Sequence, residues 1–267
     1  MFMDSKAYRN NNQDMDKLAE KAAGLIKSSR KLVVFTGAGV STESGIPDFR
    51  SPGGIWEKYD SSKFTIDYFV YDPEIRKIHW KILTEGGMAG EAQPNYAHMA
   101  IAELHRMGKL DCVVTQNIDF LHQKAGVPDK KVFEVHGSMR QCICMKCHKV
   151  YPIDEIKKRL DSGDGDPCCS HCSGIIKPDV VMFGEMLPEL VLEEAAYRAS
   201  ACDMMMVIGS SLVVYPAAAI PFRAAMAGAR IAVINYSETS LDSRADVIIR
   251  SGAGEAMQKI MSYLKSD

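Results

Sequence analysis

The sequence predicts an α/β fold: a Rossmann-like, doubly wound parallel sheet with a smaller zinc-binding and helical domain. Three observations carry this. Short apolar runs rich in Val and Ile recur at residues 31–36, 111–115, 131–135, 179–183, 203–209, 230–235 and 245–249. Helical patterns at 95–107, 188–201 and 216–227 separate many of them, and strands alternating with helices imply parallel pairing. Two stretches break the alternation, and one of them holds a dense group of cysteines between Cys142 and Cys172.

Composition narrows the function. The chain of 267 residues is long enough for one large core plus a smaller unit. Hydrophobic residues make up 46% and charged residues 25%, the balance of a soluble globular protein. A net charge of -2 gives no electrostatic reason to expect nucleic-acid or membrane partners. No apolar run reaches a membrane span. Residues 1–16 are polar and Asn-rich without a signal-peptide core, and should form a frayed lead-in to a helix at 17–28. The expected location is cytoplasmic, where clustered cysteines favour metal over disulfides.

The first run, Lys31 to Phe35, reads as a buried strand, and Thr36-Gly37-Ala38-Gly39-Val40-Ser41-Thr42 follows it. Small residues at a strand's carboxyl end let the backbone turn and approach a ligand closely. Ser41 or Thr42 could then cap a helix whose amides receive a pyrophosphate. Ile46-Pro47-Asp48-Phe49-Arg50 adds a rigid turn, an aromatic and a guanidinium. Thr42 stands where G-x-G-x-x-G would place its third glycine, which disfavours an ordinary hydride-transfer dehydrogenase.

In a doubly wound sheet ligands sit beyond the strands' carboxyl ends. Gln116-Asn117-Ile118-Asp119, His136-Gly137, Gly184-Glu185, Gly209-Ser210-Ser211 and Asn235 all follow apolar runs and should gather on that rim. Asp119 could equally be a helix cap. A lone histidine is usually structural, yet His136 follows a strand at the entry to the cysteine module, where its imidazole could take a proton near neutral pH. His79, His98, His105 and His122 lie in helical patterns and read as structural. Residues 17–51, 92–137 and 178–267 should form the nucleotide-binding domain. Residues 52–91, with two short helices, and 138–177 should form the small domain.

Cys144-Met-Lys-Cys147 and Cys169-Ser-His-Cys172 are two C-x-x-C knuckles separated by 21 residues. Each places two thiolates on one turn, and four complete a tetrahedron around zinc with no open position, so the site is structural. Cys142, Cys168, His148 and His171 could each substitute for a ligand.

Taken together, these motifs resemble the sirtuin family of NAD-dependent protein-lysine deacylases, in a prokaryotic form confined to the catalytic core. The resemblance rests on Gly37 to Ser41, Gly45 to Arg50, Thr115 to Asp119, His136 to Ser138, both knuckles, Pro178 to Glu185 and Gly209 to Leu212, in family order. It implies that Ala38, Thr42 and Arg50 hold the pyrophosphate side of NAD, and Ser210, Ser211 and Asn235 the adenosine side. Gln116, Asn117, Ile118 and Asp119 would surround the nicotinamide ribose, Phe49 would guard it, and His136 would be the general base. Asn117 and Asp119 thereby count among the catalytic residues.

The activity implied is NAD-dependent deacetylation, with the acetyl group passed to ADP-ribose and nicotinamide and lysine released. An acetyl-lysine peptide would bind by strand addition along 180–185 and 213–215. The alternatives are a mono-ADP-ribosyltransferase, a deacylase preferring longer apolar acyl groups, and a non-enzymatic zinc adaptor or NAD sensor. Two departures from the family pattern stand out. Phe120, where many relatives carry Gly or a polar residue, should alter the cleft wall. Trp80 and Leu83 occupy the positions of the Tyr-x-x-Arg pair that reads acidic acyl groups, so an apolar lining and little desuccinylation are expected.

Overall fold

The apolar runs form strands whose alternating side chains feed two cores. The computed structural model describes residues 5–85 and 92–265; expectations touching residues 1–4, 86–91 and 266–267 lie outside the described residues. In chain order the helices are α1 (Ser5–Ser28), α2 (Ile55–Lys58), α3 (Ile66–Tyr71), α4 (Pro73–Glu85), α5 (Tyr96–Arg106), α6 (Leu121–Lys124), α7 (Ile153–Asp161), α8 (Glu189–Ala201), α9 (Ala219–Met226) and α10 (Ala253–Leu264). The strands are β1 (Leu32–Thr36), β2 (Leu110–Thr115), β3 (Val132–Glu134), β4 (Gly137–Cys144), β5 (Val150–Pro152), β6 (Ile176–Val180), β7 (Met204–Ile208), β8 (Arg230–Ile234) and β9 (Val247–Ile249).

Six strands form a sheet in the order β3-β2-β1-β7-β8-β9, and every pairing is parallel. Strand order reverses between β1 and β7, the topological switch point at which doubly wound sheets bind ligands. Side-chain alternation splits each strand between two apolar layers. Leu32, Val34, Met204 and Met206 pack with residues of α1, α5 and α10, such as Ile26, Ile101 and Met257. Val33, Phe35, Met205 and Val207 pack with residues of α8 and α9, such as Ala199 and Ile220. A sheet covered on both faces explains runs that are apolar throughout.

The second sheet is antiparallel, in the order β5-β4-β6. Its core joins Phe69 of α3 and Trp80 of α4 to Cys142, Tyr151, Ile156 and Ile176. The run expected at 179–183 therefore does not join the parallel sheet. Its start belongs to β6, and the rest leaves the ladder: Val181 N–H donates to His136 O (2.8 Å), and Phe183 O accepts from Ile66 N–H (2.9 Å).

Two further expectations change. Helix α1 begins at Ser5, so most of the expected lead-in is helical. No Gly or Pro interrupts residues 5–16, so nothing there breaks the helix. Among residues 14–28, whose burial is described, Ala19, Ala22, Ala23 and Ile26 are buried. Residues 52–85 hold three helices in place of two, and α4 runs for 13 residues. Asp72 initiates α4 by accepting from Glu74 N–H and Ile75 N–H.

Candidate active site and metal centre

At the switch point two turns touch backbone to backbone. Gly39 N–H donates to Gly209 O (2.9 Å), and a Cβ on Gly37 would lie 2.8 Å from that same oxygen. Gly209 has φ +64°, and a Cβ there would overlap Val40 N. Glycine is required at these positions by the close approach of one backbone to another, where the sequence reading expected the approach of a ligand. The expected helix does not follow. Residues Ala38–Val40 and Thr42–Ser44 form two short 3-10 turns, and Ser41 caps neither with its side chain. Thr42 Oγ1 donates to Gly39 O, back to the preceding turn.

Ser41 instead organises one wall of a cavity. Its hydroxyl donates to Asp119 Oδ2 (2.7 Å) and accepts from Asn117 Nδ2 (3.0 Å). Asn117 also donates to Gly37 O (3.2 Å), which ties the loop after β2 to the loop after β1. Asp119 Oδ1 accepts from Leu121 N–H just before α6, and the residue also lines the cavity. Beneath lie two buried histidines. His98 Nδ1 accepts from Asn95 N–H in a capping box, leaving Nε2–H directed at Ser41 Oγ (3.5 Å). Burial, opposed by the charge of Asp119, lowers His98 to about 4, so it is neutral. His122 Nε2 meets Thr36 Oγ1 (2.9 Å), and burial holds it neutral too. Sequence reading missed Ser41 and His98 as partners of this wall; the Asn95-x-x-His98 capping pattern was the available signal.

His136 stands where β3 ends and β4 begins. Its Nδ1 lies 3.0 Å from Gln116 O, a pure acceptor, so Nδ1 carries the proton and Nε2 keeps its lone pair. Burial lowers its pKa below the ordinary 6.5, and the Gln116 carbonyl opposes this only partly. Gly137 follows at φ +77°, where a Cβ would overlap Asp179 O. The tight crossing of β4 over β6 thus fixes the histidine's place.

A cavity of about 290 Å³ collects Ala38, Phe49, Arg50, Gln116, Asn117, Ile118, Asp119 and His136. Thr42, Ser210, Ser211 and Asn235 are not in its lining; the last three follow β7 and β8 along the same rim. Ser210 Oγ accepts from Gln116 Nε2 (2.7 Å), joining the two halves of the rim, and Asn235 Nδ2 donates to Ser237 O. The far wall is apolar: Trp56, Phe64, Ile82, Leu83 and Phe183, with His79 stacked on Phe64 at 4.5 Å. Trp80, expected there, is 1% exposed and sits in the small-sheet core against Phe69. One residue along α4 turns the side chain about 100°, so His79 takes the wall position. Phe120 leaves the wall as well. It has φ +62°, and its ring lies under the Arg140 guanidinium (4.5 Å).

The four knuckle cysteines place their Sγ atoms within 4.8 Å of one another. Sγ–Sγ distances are 3.5 Å for Cys144–Cys172 and Cys147–Cys169, close to the separation of about 3.8 Å that follows from four thiolates at ~2.3 Å around tetrahedral zinc. The knuckles repeat one geometry. His148 N–H donates to Cys144 O and Ser173 N–H to Cys169 O, both at 2.9 Å, and His148 and Ser173 share φ +58°. The Tyr151 hydroxyl, 3.1 Å from Cys169 Sγ, lowers that thiol to about 5, favouring the ligating thiolate. Cys142 is buried and pushed up to about 12 by burial, and Cys168 points to Asp166 O. Neither they nor His148 and His171 join the four-sulfur group. The residues fit zinc.

Fold and site together define an α/β nucleotide-binding protein with a structural zinc ribbon. The chain belongs to the Sir2 family, whose sequence pattern matches residues 37–216. It is 46% identical over 250 residues to an NAD-dependent protein deacetylase of Thermodesulfovibrio yellowstonii, covering 92% of this chain and 95% of that one. An NAD-dependent protein deacylase 2 of Archaeoglobus fulgidus is 45% identical over 253 residues, with 94% and 98% covered. Among solved structures, a Sir2 enzyme from work on mechanism and regulation superposes with TM-score 0.86 at 44% identity, covering 94% of this chain and 98% of that one. A Sir2 complex with a p53 peptide and NAD+ gives 0.82 at 39%, covering 91% and 96%.

Proposed function

We infer that this protein is an NAD-dependent protein-lysine deacetylase that passes the acetyl group to ADP-ribose and releases nicotinamide and free lysine. The observation that carries this is His136: a neutral imidazole, its Nδ1 held by Gln116 O, beside Asn117 and Asp119 in a cavity whose opposite wall is apolar. A mere binding module has no need for a base oriented in this way. NAD supplies the ribose that accepts the acyl group. A related Sir2 protein has been seen with a deacetylated p53 peptide and 3′-O-acetyl-ADP-ribose.

The individual residues take the roles that the Sir2 resemblance implies. Ala38 and Arg50 face the pyrophosphate side, with Thr42 at the same loop. Ser210, Ser211 and Asn235 take the adenosine side along the rim. Gln116, Asn117, Ile118 and Asp119 surround the nicotinamide ribose, Ser41 holding Asn117 and Asp119 in place. His136 Nε2 takes the proton from a ribose hydroxyl. Phe49 covers the reacting sugar from the loop side and excludes water and returning nicotinamide.

The peptide enters between residues 180–185 and 213–215 as an added strand. Val181 and Val214 both line the cavity, which supports that route. Glu185 stiffens one lip by accepting from Met182 N–H (2.8 Å) and Lys177 Nζ (3.0 Å). Residues 52–85 and 138–177 act together as the small domain beside this cleft.

Mass analysis of the products tests the reaction. Acetyl-ADP-ribose and deacetylated peptide should form in equal amounts, and His136→Ala should lower kcat at least about 100-fold, the ordinary worth of a general base. ADP-ribosylated protein without loss of acetyl groups would establish the transferase alternative instead.

A further inference from the structure

We propose that Glu43 is a positioning residue for the NAD-binding loop: its carboxylate caps helix α10 and thereby seats residues 38–50 on the main sheet. This rests on the reading of that loop given above.

Helix α10 has no cap of its own. Its N-cap residue is Gly252, which offers no side-chain acceptor, and the helix continues Ala253-Gly254. The missing acceptor comes from 211 residues away, where Glu43 Oε1 accepts from Gly254 N–H at 2.8 Å. A carboxylate at a helix N-terminus gains both a charge-assisted hydrogen bond and the favourable end of the helix dipole. The helix is shaped to receive it. A Cβ on Gly254 would overlap Glu43 Oε2, and one on Gly252 would lie 3.0 Å from Oε1. Gly252 has φ −60°, which any residue adopts. The two glycines make room for the carboxylate, at positions where Ala would be the better helix former.

The opposite side of the loop is held by α5, since Asn95 Nδ2 donates to Val40 O (2.7 Å) and to Ser44 Oγ (3.1 Å). Residues 40–44 are therefore clamped between two helices of one layer. Gly45, at φ +85°, then turns the chain toward Phe49 and Arg50 in the cavity. Glu43 itself is not among the residues that line the cavity. Its effect on NAD is thus through the loop.

The test uses the intact protein, with NAD and an acetyl-lysine peptide as probes. Calorimetry should show NAD binding weakened about tenfold by Glu43→Ala and less by Glu43→Gln, as expected for loss of a cap that also orders a binding loop. The KM for NAD should rise while kcat and the peptide KM stay within about twofold. Gly254→Ala supplies the second arm. In the parent it should expel the carboxylate, weaken NAD binding similarly and lower Tm. In the Glu43→Ala background it should leave NAD binding unchanged and raise Tm. Equal effects of Gly254→Ala in both backgrounds, or NAD affinity untouched by Glu43→Ala, would overturn the proposal. The calorimetric arm needs no turnover, so absent deacetylation would count against the reaction and leave the positioning role separately decided.

Discussion

His136 shows how one side chain's environment sets its chemistry. The Gln116 carbonyl selects the tautomer, and burial lowers the pKa below 6.5. A base works when unprotonated, so a lowered pKa extends activity toward acid. The acid limb of kcat/KM against pH should therefore fall below pH 6.5, and a limb well above that value would mean that another group is the base. At this scale the sequence was most legible where chemistry and position coincide. Gly37, Gly39 and Gly209 stand where close approach demands them, and Asn117, Asp119 and His136 do face one cavity. It was least legible where one residue's rotation decides the outcome. Trp80 and His79 are neighbours on α4, and only packing determines which faces the core and which faces the cleft. Ser41 was hidden for a related reason: its partners Asp119 and Asn117 are 78 and 76 residues away.

At the scale of elements, the small sheet depends on two ties. One is the four-cysteine site. Chelation or Cys144→Ser should unfold the zinc module and remove activity, with close to one zinc per active chain by metal analysis; active protein without zinc would refute this. The other is Arg76 of α4, 6% exposed, which pairs with both oxygens of Asp166 at 2.6 Å and also donates to Phe69 O and Val70 O. It ties α3 and α4 to the zinc loop, a link that no local pattern announces. Asp166→Asn should cost about 2 kcal/mol in denaturant unfolding, the scale of a charged hydrogen-bonded pair that loses one charge. Helix α4 also carries the wall on which the expected acyl choice rests. Ile82, Leu83 and Phe64 offer no partner to a carboxylate, and burial lowers the pKa of His79, keeping its ring neutral. Acetyl-lysine peptides should exceed succinyl-lysine peptides in kcat/KM by about 100-fold or more, the scale of an unpaired buried charge. A preference for succinyl would place a cation in that wall.

The whole molecule is a parallel sheet that brings strand ends to one rim and a zinc-braced unit that supplies the facing wall. The strand and helix alternation made the first half legible, and strand order β3-β2-β1-β7-β8-β9 places the switch point at the two glycine turns. The second half was less so. Strands β4 and β5 lie in the cysteine module, where metal geometry overrides apolar periodicity. The run at 179–183 reads as another core strand although its pairing is with β4. The cleft exists because these two units meet there, and the central claim is that both substrates must occupy it for reaction. Nicotinamide release, followed with an acetyl-lysine peptide and with the same peptide unacetylated, tests that claim most directly. Release should require the acetylated peptide, and its steady-state rate should fall at least about 100-fold in His136→Ala. Release at the same rate with either peptide, or none with any of several acetylated peptides, would contradict it.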